Sequence, residues 1–483
     1  MRIAIAVVAA VMLAAAVPRP EVSPPERNGG TARRTVDAAA VDAVMRENGF
    51  VRGGLSGASV AIAVDGRVAF ARGFGERDAG APDRWQPATE DFYRTGHGLP
   101  AARRSALATP RTIYAAGSIS KTVVAAAIHA LAQDRALSVD DPVARWFPEF
   151  GGRRELTLRN LLEQTSGLPD YNDPEHLRRF HGKPRDALIE FIAHERPDFA
   201  PGERYAYSNT NYMLLGRVVE LASERPLQRF LAERFFTPLE MTRTSFGAFA
   251  SNADVAVGYS KDEQGRVRAY PWDFRWLGGA GSLTTDALDL ARFDAALIDG
   301  RVIGRDQFKA MSTPSGAHHG LGTGAYAHGL VVDRISNHPE LWHNGEIGGF
   351  HAVHALFPED RIAIVVLTNQ QQSHPETLIG PLLAAVVPLN PIEQIFTKSE
   401  AEAMAVMLGG ASLASIAVVA AAIWRRRRWW VCILVALAAL VFGAMMPAFA
   451  PLPLAFALAL VPAALLAVPW RRAMPKPNAG RGQ

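Results

Sequence analysis

The stretch Ser118-Ile119-Ser120-Lys121 precedes an alanine-rich apolar run at residues 123–131. The run predicts a buried helix, so Ser118 and Lys121 are expected on one helical face with hydroxyl and amine in contact. Arginine cannot lose its proton in a protein, whereas a desolvated lysine becomes partly neutral and basic. Such a pair supplies an activated nucleophile for acyl transfer. On this motif alone, a helix start with a capping serine is an equally good interpretation.

Strand patterns lie at both ends of the region around this motif, and helical patterns lie between them. Residues 58–74 form a strand–turn–strand pattern around Asp65-Gly66, a pair typical of a tight hairpin. Further strands are predicted at 329–332, 350–357 and 361–368, helices at 156–162, 213–223, 227–236 and 286–298, and a long loop at 77–110. The pattern predicts an α+β domain at residues 37–390, in which both ends meet in one antiparallel sheet beside a helical subdomain.

The composition argues against a nucleic-acid partner and excludes an intrachain disulfide. The chain has 483 residues and a net charge of +4, but residues 404–483 hold eight basic and no acidic residues, which leaves 4 − 8 = −4 for residues 1–403. Nothing basic remains in the main domain to indicate a nucleic-acid partner. The single cysteine, Cys432, excludes an intrachain disulfide.

The two ends of the chain predict export and membrane insertion. Residues 1–16 fit a signal peptide, with a retained anchor as the alternative, and residues 17–36 fit a polar linker. Apolar spans of membrane-crossing length are predicted at residues 404–424, 429–446 and 452–470, the proline-rich third being alternatively re-entrant or kinked. Arginine clusters flank them and put the tail, residues 471–483, in the cytoplasm. The main domain is therefore expected outside the cytoplasmic membrane.

Two further stretches contain groups suited to a cleft. Residues 201–211 (PGERYAYSNTN) offer Tyr207 for proton transfer and Asn209 for binding a substrate amide, and we expect a neighbouring cation to lower the pKa of this tyrosine. Residues 342–350 (WHNGEIGGF) offer His343 as a donor and Gly345 as a point of close backbone approach. Taken singly, each stretch is better explained as a surface loop or a glycine-rich turn.

Together, residues 118–121, 207–209 and 343–345 resemble the motifs of the serine beta-lactamase and penicillin-binding-protein superfamily: S-x-x-K, Tyr/Ser-x-Asn, and K-T-G or H-x-G. Phrases at 156–169, 199–203 and 278–283 extend the resemblance over residues 40–385. The resemblance implies a beta-lactamase/transpeptidase-like fold. Tyr207 in the second motif is similar to the branch that contains class C beta-lactamases, D-alanyl-D-alanine peptidases, esterases and D-aminopeptidases.

The resemblance also implies a role for each motif residue. Ser118 would attack a carbonyl and form an acyl-enzyme, with Lys121 and Tyr207 moving its proton. Asn209 would orient the substrate amide and help hold Lys121. The backbone N–H groups of Ser118 and Glu346 would form the oxyanion hole, and His343 and Gly345 would bind substrate.

His343 departs from the commonest pattern, because beta-lactamases and many peptidases carry Lys there. A permanent cation attracts the carboxylate of penicillins and of peptides ending in D-Ala, and a neutral histidine attracts it less. The sequence therefore predicts a membrane-anchored extracytoplasmic serine hydrolase that acts on an ester or a D-amino-acid-containing peptide or amide. Cell-wall-derived peptides are candidate substrates, and we expect weak or no beta-lactamase activity.

Other interpretations have less support. A catalytically inactive binding or sensor module is the alternative, and the intact Ser118, Lys121, Tyr207 and Asn209 argue against it. A transporter is disfavoured because the spans hold no charged residue within the hydrocarbon. Neither His318-His319 nor the pair His351 and His354 has a carboxylate at ligand spacing, and residues 351 and 354 face opposite sides of a strand, so no metal site and no cofactor are expected.

Overall fold

The computed structural model describes residues 34–52, 54–79, 106–180, 183–249, 254–262, 265–268, 277–314 and 324–389. The predicted signal peptide (1–16), the predicted spans (404–424, 429–446 and 452–470) and the predicted tail lie outside these residues. Among the helices that are described, none has the length and apolar character needed to cross a membrane.

An eight-stranded antiparallel sheet forms the centre of the domain, in the order β3-β2-β1-β13-β12-β11-β10-β9. Its strands are β1 (Gly57–Val64), β2 (Arg67–Asp78), β3 (Ala106–Leu107), β9 (Ala325–Tyr326), β10 (Val331–Ile335), β11 (His338–Ile347), β12 (Phe350–Phe357) and β13 (Ile362–Thr368). The first and last strands pair from Ala58 with Thr368 to Val64 with Ile362. The prediction that both ends of the domain meet in one antiparallel sheet is confirmed.

The sheet is buried on both faces, which explains why its central strands are mostly apolar on both sides. In β1, Ala61 and Ala63 point into the larger core, on what we call the front face, and Val60, Ile62 and Val64 point into a second core on the back face. The turn after β1 has φ of 51° at Asp65 and 82° at Gly66, as a type I′ hairpin requires.

Helices cover both faces of the sheet. They are α1 (Ala38–Val44), α2 (Ser120–Gln133), α3 (Leu158–Leu162), α4 (Pro174–Phe180), α5 (Arg185–His194), α6 (Asn209–Ser223), α7 (Leu227–Leu231), α8 (Ala287–Ile298), α9 (Arg305–Met311) and α10 (Ile379–Ala384). Further segments are π-helical (Met45–Arg52 and Ala232–Phe236) or 3₁₀-helical (Val143–Arg145, Pro148–Phe150, Gly278–Ala280 and Pro375–Leu378). Apolar side chains of α1 and α10 pack in the back core, and those of α2, α6 and α8 pack in the front core.

Two smaller sheets complete the domain. One has the order β4-β8-β5, with β4 (Tyr114–Gly117), β5 (Ser245–Phe246) and β8 (Leu283–Thr285), and the other pairs β6 (Tyr259–Asp262) with β7 (Gly265–Arg268). Strand β4 ends directly before Ser118 and so delivers that residue to the front of the domain.

Three details of the sequence interpretation are wrong. Ser118 lies in a turn and not in the helix, which begins at Ser120, because β4 holds the chain extended as far as Gly117. His343 and Gly345 lie inside β11 and not in a turn. The segment at residues 77–110 is not all loop, since β2 continues to Asp78 and residues 106–107 form β3.

Candidate active site

The turn that carries Ser118 is fixed by backbone contacts on both sides. Gly117 has φ of +52°, a conformation that favours glycine. Ser120 Oγ donates to Gly117 O at 2.6 Å and accepts from the backbone N–H of Leu283 in β8 at 2.9 Å. The backbone N–H of Lys121 donates to Ser118 O at 2.9 Å, which closes the turn that leads into α2. The nucleophile candidate is therefore held where β4, β8 and α2 meet.

The ammonium end of Lys121 is enclosed by three oxygen atoms. Lys121 is 0% exposed, and its Nζ lies 3.0 Å from Ser118 Oγ, 2.9 Å from Asn209 Oδ1 and 2.8 Å from Ala280 O. The predicted contact between hydroxyl and amine is thus present. Asn209 begins α6, and Ala280 ends the short helical segment Gly278–Ala280, so three separate elements converge on one amine.

Burial lowers the pKa of Lys121 to about 7, although the charge of Asp170 acts in the opposite direction. A neutral amine has two N–H bonds and one lone pair. The carbonyl of Ala280 and the amide oxygen of Asn209 can only accept, so they engage both N–H bonds. The remaining lone pair then faces Ser118 Oγ and can take its proton.

Asp170 fixes which atom of Asn209 faces the lysine. Its Oδ2 accepts from Asn209 Nδ2 at 3.0 Å, and its Oδ1 accepts from the backbone N–H of Asn209 at 3.2 Å. With the amide nitrogen held by a carboxylate, the amide oxygen must point to Lys121. The sequence interpretation missed Asp170, although it directly follows the Gly-Leu-Pro phrase at 167–169.

Tyr207 contacts the nucleophile, but its ionisation differs from the expectation. The phenol donates to Ser118 Oγ at 3.0 Å, and its ring centroid is 4.9 Å from Lys121 Nζ. Burial raises the pKa of Tyr207 above its ordinary value of 10, and this outweighs the hydrogen bond to Ser118, which acts to lower it. The expected depression of this pKa is therefore wrong. Tyr207 stays protonated and is suited to donate to the serine oxygen.

Glycines allow β11 to run directly against the nucleophile turn. A methyl group at Gly345 would lie 1.9 Å from Ala116 O and 2.8 Å from Ser118 N, and one at Gly117 would lie 3.0 Å from Glu346 N. Any side chain at either position would therefore force the two segments apart. The backbone nitrogens of Ser118 and Glu346, the expected oxyanion-hole donors, both lie at this contact.

His343 lies beneath the site with both nitrogens occupied. It is 3% exposed, its Nδ1 lies 2.5 Å from Asn344 O, and its Nε2 lies 3.1 Å from the hydroxyl of Tyr326. The carbonyl requires a proton on Nδ1, so Nε2 accepts from the tyrosine. Burial, with the nearby charge of Lys121, lowers the pKa of His343 to about 3. The residue is neutral at physiological pH, and both of its nitrogens are bonded within the protein.

Aromatic rings line the side of the site around His343. The rings of Tyr205 and Tyr207 lie 5.7 Å and 6.2 Å from that of Tyr326, and the rings of Tyr207 and His343 are 6.4 Å apart. Tyr326 was missed by the sequence interpretation because it lies 119 positions after Tyr207, in the short strand β9, without a motif around it.

The two histidine pairs first considered as metal ligands behave differently. His318 and His319 lie outside the described residues. His354 faces the front core, where its Nδ1 is 2.9 Å from Asp294 Oδ1 and its Nε2 is 3.1 Å from Thr122 Oγ1. His351 faces the back, as the strand alternation predicted.

Comparison with known proteins identifies the family of this arrangement. Residues 36–387 match the family model described as Beta-lactamase. The chain is 29% identical over 265 residues to the putative penicillin-binding protein PbpX of Bacillus subtilis (strain 168). That alignment covers 55% of this chain and 64% of the relative, so it spans less than two thirds of the relative's length.

Solved structures share the fold. The octameric penicillin-binding protein homologue from Pyrococcus abyssi superposes with a TM-score of 0.61 at 26% identity, over 74% of this chain and 79% of that one. The D-amino acid amidase from Ochrobactrum anthropi SV3, in complex with D-phenylalanine, superposes with a TM-score of 0.60 at 21% identity, over 72% and 98% of the two chains. The family match covers well over half of the sequence, and the chain therefore belongs to the beta-lactamase family of serine hydrolases and penicillin-binding-protein homologues.

Proposed function

We propose that the chain is a membrane-anchored, extracytoplasmic serine hydrolase. It acts through an acyl-enzyme on an ester or on a D-amino-acid-containing peptide or amide, and beta-lactams are poor substrates. Ser118 is the nucleophile, Lys121 the general base, Tyr207 the proton donor to the serine oxygen, and Asn209 the residue that orients both lysine and substrate.

The observation that carries this proposal is the set of contacts around Lys121 Nζ. Two obligate acceptors, Asn209 Oδ1 and Ala280 O, take the N–H bonds, and the third direction points to Ser118 Oγ at 3.0 Å. Because the pKa of Lys121 is lowered to about 7, a large share of the protein carries the free base at neutral pH. A structural lysine would have no need of this arrangement.

The proposed reaction has two halves. Ser118 Oγ bonds to the carbonyl carbon as its proton moves to Lys121, and the backbone N–H groups of Ser118 and Glu346 stabilise the oxyanion. The bond to the alcohol or amine then breaks, and the leaving group takes the proton from Lys121 by way of Tyr207. Water next adds to the acyl carbon and gives a proton to Lys121. The carboxylic acid departs as Ser118 Oγ is protonated again.

The state of His343 supports a substrate without a free carboxylate on the leaving-group side of the scissile bond. It is neutral, and its two nitrogens are bonded to Asn344 and Tyr326. It therefore offers neither a positive charge nor an unused N–H to such a group. The tyrosine rings beside it favour an apolar substituent.

The location rests on the sequence of the two ends. A signal-like segment at residues 1–16 and apolar spans at 404–424, 429–446 and 452–470, with arginines on one side, support anchoring of the catalytic domain outside the cytoplasm. Protease digestion of intact cells tests this orientation. We expect the catalytic domain to be degraded and a tag on the tail to be protected.

Activity-based labelling tests the catalytic proposal. A fluorophosphonate probe should label the wild-type chain and should not label Ser118→Ala, with Ser138→Ala, which changes an exposed serine outside the site, as the control. Equal labelling of wild type and Ser118→Ala would refute the proposal and favour an inactive binding module.

A substrate panel tests the specificity. The purified chain should hydrolyse p-nitrophenyl esters or D-amino acid amides, and it should act weakly on peptides with a free terminal D-Ala carboxylate and on nitrocefin. Rapid nitrocefin hydrolysis that depends on Ser118 would keep the enzyme class but overturn this substrate assignment.

A further inference from the structure

The back face of the sheet carries a cluster of potential ligands that the catalytic site does not use. His351 begins β12 together with Phe350, and His374 and Glu376 lie just before and within the helical segment Pro375–Leu378. One ligand atom from each of the three residues lies within 4.8 Å of the others, and no other such group of three occurs in the described part of the chain.

Hydrogen bonding defines which nitrogen of His351 is available. Its Nδ1 lies 3.0 Å from the carbonyl oxygen of Gln371, and only a protonated nitrogen can bond there. In the neutral ring, Nε2 therefore carries a lone pair. A histidine that binds a metal through one nitrogen commonly donates the other N–H to a carbonyl in this way.

That lone pair faces another acceptor. His351 Nε2 is 3.3 Å from Glu376 Oε2, and within the residues described neither atom has a hydrogen-bond partner. His351 is 2% exposed, so bulk water does not reach its unpaired nitrogen. Two buried acceptors facing each other leave their desolvation uncompensated unless a cation lies between them.

His374 supplies the third donor at the open side of the cluster. Its Nδ1 lies 3.2 Å from Glu376 Oε1, and its side chain is 69% exposed. Tetrahedral zinc with bonds of about 2.0–2.2 Å keeps its ligand atoms about 3.4 Å apart. The separations of 3.3 Å and 3.2 Å, which involve the two different carboxylate oxygens of Glu376, are close to this spacing, and one ligand atom from each residue lies within 4.8 Å of the others. Because the side chain of His374 is exposed, it can move until its nitrogen reaches the same spacing from His351 Nε2.

We propose that His351, His374 and Glu376 bind a divalent transition-metal ion, with Zn²⁺ the best match to two imidazoles and one carboxylate. Water completes the fourth position on the side of His374. The ion joins strand β12 to the segment that leads into α10, on the face of the sheet opposite Ser118. The sequence interpretation excluded a metal here because Glu376 lies 25 positions from His351, and only the fold brings them together.

Metal-binding measurements test the proposal. They use the full-length chain, purified in detergent without an affinity tag and depleted of metal. Equilibrium dialysis against Zn²⁺ with elemental analysis should give one ion per chain whose affinity falls at least about tenfold in His374→Ala and in Glu376→Gln. His194→Ala and Glu359→Gln change exposed residues of the same types elsewhere and should bind as wild type. Co²⁺ should give the visible absorption of a four-coordinate site, which Zn²⁺ abolishes.

The competing explanation is a proton in place of the metal, which would make His351 and Glu376 an imidazolium–carboxylate pair. Wild-type protein would then bind no more Zn²⁺ than His374→Ala. That result, or wild-type affinity in both ligand variants, would overturn the proposal. Circular dichroism and thermal unfolding of the same samples report whether each variant is folded, and neither measurement depends on the catalytic assignment.

Discussion

The front and back faces of the sheet hold polar clusters that differ in completeness. At the front, every direction around Lys121 Nζ and both nitrogens of His343 and His354 meet a partner. At the back, His351 Nε2 and Glu376 Oε2 face each other, and neither atom has a hydrogen-bond partner within the described residues. The bonds around Lys121 Nζ position a reactive group, whereas two buried acceptors that face each other indicate a missing component. The burial of a histidine does not by itself tell a fully bonded imidazole from one with an unpaired nitrogen.

The largest effect is expected from a substitution that disables the front cluster and leaves the back cluster intact. Lys121→Arg keeps a positive charge but removes the lone pair, since arginine does not deprotonate. We expect hydrolysis to fall about 10³-fold, within the usual contribution of a general base. Steady-state ester hydrolysis measures the loss, and Lys183→Arg serves as a control on a lysine outside the site. Zn²⁺ binding should be unchanged, and near-normal activity of Lys121→Arg would contradict the role of the lysine.

A smaller effect tests whether Asp170 acts through Asn209 and Lys121. In Asp170→Asn, the acceptor for Asn209 Nδ2 is weakened and the negative charge that raises the pKa of Lys121 is lost. We expect kcat to fall by about one order of magnitude, as for other partners that orient a reacting group. The acid limb of the pH profile should also move to lower pH, because the lysine then deprotonates more readily. A loss of kcat with an unmoved limb would assign Asp170 a purely structural role.

The smallest effect concerns the second layer of the front cluster. Tyr326→Phe removes the donor to His343 Nε2 and leaves that buried nitrogen as unpaired as His351 Nε2. We expect the free energy of unfolding to drop by about 1–3 kcal/mol, with ester hydrolysis little changed. Chemical denaturation measures the drop. An unchanged stability would show that an unpaired buried imidazole nitrogen is tolerated in this fold, and would weaken the argument for a metal at the back.

The sequence could predict the features that depend on a local pattern of residues. The spacing from Ser118 to Lys121, the hairpin at Asp65-Gly66 and the apolar strands at both ends lie within short windows. It could not predict the features that depend on segments far apart in the sequence coming together in the fold. Ala280 lies 159 positions from Lys121, and Glu376 follows His351 by 25 positions across a turn and another strand. The pKa of Tyr207 also depends on how far the folded chain buries it.

The central claim is that Lys121 acts as a neutral base at physiological pH, and the pH dependence of acylation tests it most directly. The rate of fluorophosphonate labelling should rise about tenfold per pH unit below a midpoint near 7 and level off above it, because deprotonation of the lysine frees its lone pair. His343, whose pKa is lowered to about 3, should add no step in this range. A midpoint near the ordinary lysine value of 10.5, or the same limb in Lys121→Arg, would contradict the account.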